Sequence, residues 1–124
     1  MKELRNEGMK ESVIKVKSYQ FALRIIKLYK HLLEDKKEYT LSKQLLRSGT
    51  SIGASVEEAS GCQSKKDFIA RFHIALKEAK ETHYWLRLLK DNEYAESLLL
   101  DSFLKDCEEL TIIMTAILKS SKTP

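Results

Sequence analysis

Residues 47–61 read RSGTSIGASVEEASG and hold three of the chain's four glycines together with four serines. Apolar, helix-like sequence precedes and follows this stretch, so its reading decides the fold. A Walker-type phosphate loop needs G-x-x-x-x-G-K-[ST], but Gly49 and Gly53 are separated by three residues and no lysine follows them. The dinucleotide fingerprint is absent too, because there is no G-x-G-x-x-G and no preceding strand. A flexible linker fits poorly, since Leu41, Leu45, Leu46, Ile52 and Val56 thread apolar groups through the segment. Gly49 and Gly53 fall about one helical turn apart. Two glycines inside a helix each cost about 1 kcal/mol relative to alanine and so require a packing reason. Small side chains allow close backbone approach, which gives that reason. Arg47, Ser51, Ser55 and Glu58 line up at helical steps beside the small groove and predict a polar seam. Glu58 is expected to meet an arginine such as Arg47 across helices or subunits.

Outward from this segment the apolar spacing is helical throughout. Ile14, Phe21, Ile25, Leu28 and Leu32 recur on one face, with Ala22, Ile26, Tyr29 and Leu33 beside them. A face this wide suits a bundle helix better than a two-stranded seam. Thr40 is the expected cap of the second helix. Ser64 and Asp67 have the spacing of a capping box. Phe68, Phe72, Ala75, Ala79, Thr82, Leu86 and Leu89 then continue a helix about 40 Å long. Leu100, Phe103, Cys107, Leu110, Met114 and Ile117 mark the last one. The expected helices are 12–36, 40–60, 64–90 and 97–121, with short flexible tails at both ends. The only proline is Pro124, so no ring interrupts them. Short connections favour antiparallel neighbours, and the fold expected over residues 1–124 is a single all-α, up-down-up-down four-helix bundle.

Composition excludes several classes. At 124 residues with 43% hydrophobic and 32% charged content, the chain suits one globular domain with solvated helix faces rather than a disordered one. The charge-rich start has no apolar run of the secretory type, and LTIIMTAIL (110–118) falls well short of a membrane span. Cys62 and Cys107 are too few and too distant for a disulfide framework or a zinc site. A reduced, cytoplasmic protein is the economical expectation.

Net charge is +4, unevenly spread: residues 10–37 carry eight Lys/Arg against three Asp/Glu, and 93–124 carry three against six. Lys66, His73, Lys77, Lys80, Tyr84 and Arg87 project within about a third of the helix circumference. Lys17, Arg24 and Lys27 form a similar row on the first helix. Such rows supply sequence-independent contacts to phosphate. The competing reading is a solvated face, with Glu78 and Glu81 neutralising the neighbouring lysines. No Glu lies three residues before any His, so the di-iron pattern of bundles is missing. No Ser–His–acid or Cys–His set is indicated either. No catalytic residue, metal or cofactor is expected, and His31, His73 and His83 read as structural. Trp85, Tyr84 and Tyr94 read as core or interface anchors.

The block SKQLLRSGTSIGASVEEASGCQSKKDFIARFHIALKEAKETHYWLRLL (42–89) resembles the four-helix bundle proteins of the 23S rRNA intervening-sequence family. The resemblance runs from about Ser18 to Leu118. It implies an antiparallel bundle that assembles as a homopentamer. It also implies kinship with the accessory variability proteins of diversity-generating retroelements, basic pentameric bundles that bind a reverse transcriptase and nucleic acid. Many relatives have asparagine where this chain has Ser55 and glycine where it has Cys62. These departures weaken any argument from a polar contact at Ser55 and leave the fold intact. Charge and resemblance together give the expectation of a non-enzymatic oligomer that binds RNA or a ribonucleoprotein. Lys17, Arg24, Lys27, Lys66, Lys77, Lys80 and Arg87 are its phosphate contacts, and Arg47, Gly49, Ser51, Gly53 and Glu58 its packing or subunit contacts. The alternative is an oligomeric protein-interaction scaffold whose basic helices meet the acidic last helix; a metal-dependent enzyme is a weaker third.

Overall fold

The computed structural model describes residues 2–121, with side chains from Gly8 onward. Four helices follow one another: α1 (Lys2–Glu34), α2 (Leu41–Ser60), α3 (Lys65–Asp91) and α4 (Ser97–Ser121). Each packs on its successor and α4 closes back onto α1, while the diagonal pairs bring no Cα atoms within 8 Å among the described residues. Interhelical pairs run in opposite sequence directions. Arg47 meets Glu81 while Glu58 meets Arg71, and Lys17 meets Glu109 while Arg24 meets Asp106. The bundle is therefore antiparallel, up-down-up-down.

α1 begins ten residues before the expected 12, and residues 2–11 are helical rather than a tail. The charged sequence there carries no apolar face to announce a helix. The tail expected after 121 lies outside the described residues. The core joins Ile14, Phe21, Ile25, Leu28 and Leu32 of α1 to Leu45, Ile52 and Val56 of α2. Phe72, Ala75, Ala79, Leu86 and Leu89 of α3 and Leu100, Phe103, Cys107, Leu110, Met114 and Ile117 of α4 complete it. Phe21 and Phe103 meet edge-on at 6.3 Å across the α1–α4 seam, a geometry that aromatic quadrupoles favour.

The glycines of α2 do mark a close approach, and the approaching helix is α1. A Cβ at Gly49 would lie 2.9 Å from Ile25 side-chain carbons, and one at Gly53 would lie 3.3 Å from the Ser18 carbonyl oxygen. The α2 N-terminus is capped differently from expectation. Thr40 occupies the cap position but its side chain makes no cap bond. Instead the buried Glu38 carboxylate accepts from the N–H groups of Thr40, Leu41 and Ser42 at 3.2, 2.9 and 2.7 Å. One acidic side chain thus satisfies several donors that an α-helix leaves without partners. The α3 cap is as expected, with Asp67 N–H donating to Ser64 Oγ at 3.1 Å.

Candidate nucleic-acid interface

α3 turns Ala75, Ala79, Thr82, Leu86 and Leu89 inward, which leaves Lys66, His73, Lys77, Lys80, Tyr84 and Arg87 exposed on its far side. The carboxylates that would neutralise this row do not. Arg47 of α2 bonds Glu81 and also reaches Glu78 at 3.4 Å, drawing both toward the α2–α3 seam. The hydrogen bond Arg47 donates to Glu81 raises the Arg47 pKa further, and burial pushes the Glu78 carboxyl up. Beneath this pair, Thr82 Oγ1 lies 2.9 Å from Ser48 Oγ and 2.8 Å from the Glu78 carbonyl oxygen, so both buried hydroxyls are satisfied. Among the described residues no carboxylate pairs with Lys66, Lys77 or Lys80. The Arg87 guanidinium lies 5.6 Å from the Tyr84 ring centroid, within cation–π range.

The α1 row has another fate. Lys17 bonds Glu109, which raises the lysine pKa. Arg24 bonds Asp106, reaches Ser102 Oγ at 3.2 Å and lies 4.1 Å over the Phe103 ring. Only Lys27 of this row is left without a carboxylate among the described residues. It borders a cavity of about 280 Å³ with Arg24, Leu28, His31, Leu99 and Phe103. The two basic rows are thus on diagonal helices of the bundle. One faces solvent, and the other is largely spent on the acidic helix α4.

The expected α2 seam is partly rearranged. Glu58 does meet an arginine, but it is Arg71 of α3 at 2.8 Å, because Arg47 lies about three turns away along α2 and is held by Glu78 and Glu81. Ser51 donates to the Arg47 carbonyl of its own helix at 2.6 Å. Ser55 is buried. Sequence reasoning missed Arg71 and the pairing of His83 with Glu108 at 2.8 Å across α3 and α4. A charge-pair search against the antiparallel register would have found both.

The remaining chemistry is quiet. His31 bonds Asp35 at 2.7 Å, and Cys107 Sγ donates to the Ala79 carbonyl at 3.2 Å. Among the described residues there is no cluster of three or more His, Cys, Asp or Glu that could hold a metal ion. None of their helices is long and apolar enough to cross a membrane.

The family model for the 23S rRNA-intervening sequence protein matches residues 10–116, which reach into all four helices. The chain belongs to this family. A crystal structure of a protein with unknown function from the S23 ribosomal protein family of Bacteroides thetaiotaomicron VPI-5482 is 49% identical, with a TM-score of 0.88. The similarity covers 89% of this chain and 98% of that one. No curated protein matches. The glycine–serine segment, the Arg47 seam and the α3 basic row all fall inside the family match.

Proposed function

We propose that this family member is a non-enzymatic, oligomeric four-helix bundle of the cytoplasm that binds RNA or a ribonucleoprotein through the exposed face of α3. The observation that carries the reading is the withdrawal of Glu78 and Glu81 by Arg47, which leaves Lys66, Lys77, Lys80 and Arg87 as a cationic strip that no carboxylate pairs with among the described residues. Phosphate contacts of this kind need no base readout and weaken steeply with salt. The family's association with 23S rRNA makes a structured RNA the first ligand to try. A reverse-transcriptase-type protein partner, which the resemblance to retroelement accessory proteins brings in, is the second. Filter binding of structured RNA across a salt series tests the proposal. Affinity should fall as salt rises; no binding at low salt, or affinity indifferent to salt, defeats it.

A specific observation supports the scaffold reading beside it. Met9, Val13, Val16, Tyr19 and Leu23 are exposed on α1 and recur at steps of three and four. This unpartnered apolar stripe suits subunit contact, and a homopentamer is the assembly the resemblance implies. Sedimentation equilibrium measures the assembly. Replacing Val16 and Leu23 by Asp should yield monomers if α1 carries the contact. RNA binding that survives in such monomers separates the two roles.

A further inference from the structure

An open groove of about 620 Å³ runs between α3 and α4 beside the basic strip, lined by Lys80, His83 and Arg87 on one wall and Glu108, Thr111 and Ile112 on the other. Its composition differs from that of a plain phosphate track. Ile112 is 69% exposed, an apolar platform with no protein covering it. Arg87, poised at Tyr84, offers a planar cation at the rim. Glu108 Oε2 is anchored 2.8 Å from His83 Nε2, and its second oxygen can accept a further hydrogen bond. The acids elsewhere on α4 are engaged: Glu109 and Asp106 pair with α1, and Asp101 pairs with Lys90. Among the described residues Glu108 is therefore the one carboxylate that lines this groove.

Resting on the RNA reading above, we infer that the ligand is single-stranded RNA, with one unpaired base laid in the α3–α4 groove against Ile112 and its flanking phosphates on Lys80 and Arg87. The apolar and planar groups favour a base face, which stacked duplex RNA does not present, and the cations favour its phosphates. A carboxylate only accepts, so Glu108 selects a base edge rich in N–H donors. The exocyclic amino group of cytosine supplies these, and uracil offers a single ring N–H in a field of carbonyl oxygens. A duplex could touch the lysines but would leave the groove empty.

Fluorescence anisotropy at low salt decides this with three labelled RNAs of equal length: oligo(C), oligo(U) and a fully paired duplex. The single strand rich in cytosine should bind about tenfold tighter than the duplex, the scale of covering part of an exposed aliphatic side chain, and tighter than oligo(U). Ile112→Ser, at an exposed site that should leave the circular dichroism and Tm unchanged, should lower oligo(C) affinity to the duplex level. Glu108→Gln should narrow the gap between oligo(C) and oligo(U). Equal or tighter binding of the duplex, or an unchanged preference in Ile112→Ser, overturns the inference while leaving salt-dependent RNA binding in place. Equal binding of oligo(C) and oligo(U) removes the role given to Glu108. Failure of all three RNAs to bind overturns the inference and the RNA reading together.

Discussion

At the scale of single residues, Gly53 and Gly8 make different predictions from one substitution. A Cβ at Gly8 would meet nothing within 4 Å, whereas one at Gly53 would press on the Ser18 backbone carbonyl at 3.3 Å. Gly8→Ala should therefore stabilise by up to about 1 kcal/mol through helix propensity. Gly53→Ala should gain nothing net, because a backbone carbonyl yields less readily than a side-chain tip. Gly53→Leu should cost about 3 kcal/mol or more as an overpacked contact, and urea unfolding of the three variants checks the order. Cys107 makes a second prediction. Burial pushes its thiol up to about 12, so a thiol reagent should find it inert in the folded protein and reactive in denaturant. A proton held only in the folded state makes stability fall as pH rises past the ordinary thiol value of 9.0 toward about 12. The slope should be at most about 1.4 kcal/mol per pH unit. Lys17 and Lys90, raised by Glu109 and Asp101, act in the same alkaline direction. Cys107→Ala should flatten the slope of chemical stability between pH 8 and 10.5; an unchanged slope would assign it to the lysines alone.

At the scale of elements, the bounds of the helices were legible except for the start of α1, whereas the bonds that close their ends were not. α1 and α3 each finish in a turn whose left-handed residue is not glycine: Lys37 at φ 55° and Glu93 at φ 59°. The Tyr94 N–H then bonds the Leu89 carbonyl at 3.0 Å, a six-to-one closure, and the Glu38 N–H bonds the Leu32 carbonyl at 2.9 Å in a loop one residue wider. The breaks at these positions were expected from the sequence, but without glycine as punctuation the left-handed residue in each was not. Lys37→Gly and Glu93→Gly should each raise stability by about 1 kcal/mol, the left-handed penalty relieved, and thermal unfolding measures the shift. Helix number, inward faces and the close approach at Gly49 and Gly53 were legible, because apolar spacing and glycine cost are local properties. The Glu38 cap was not, because a carboxylate that folds back onto N–H groups two to four residues ahead looks like any loop acid. Partners were not legible either. Arg47, Glu58 and Arg71 have no sequence mark of who meets whom until the antiparallel register is known. The same register supplies the fate of Glu78 and Glu81, which i,i+3 and i,i+4 spacing alone would have assigned to the neighbouring lysines.

At the scale of the whole molecule, the bundle sorts its charges by seam, and that sorting can be tested by reversing one row at a time. The α1–α4 contact is the smallest of the four adjacent pairs, and Lys17 and Arg24 bridge it to Glu109 and Asp106. The α3 row bridges nothing. Lys77→Glu with Lys80→Glu should therefore leave the Tm within a degree or two and abolish RNA affinity, with a shallower salt dependence in whatever binding remains. Lys17→Glu with Arg24→Glu should instead place like charges across the α1–α4 seam. Arg24 also covers the Phe103 ring, so this pair loses packing and attraction together. Its Tm should fall by several degrees while RNA affinity, measured well below that Tm, changes less than in the α3 variant. Adding Glu109→Lys and Asp106→Lys should restore part of the lost stability, since the pairs are re-formed with reversed sign. If the α1 reversal removes RNA binding as completely as the α3 reversal, then phosphate must displace the α4 carboxylates from Lys17 and Arg24. The RNA surface would then extend over two diagonal helices, a span that one chain offers only by wrapping the ligand around the bundle or by pairing α1 of one subunit with α3 of the next.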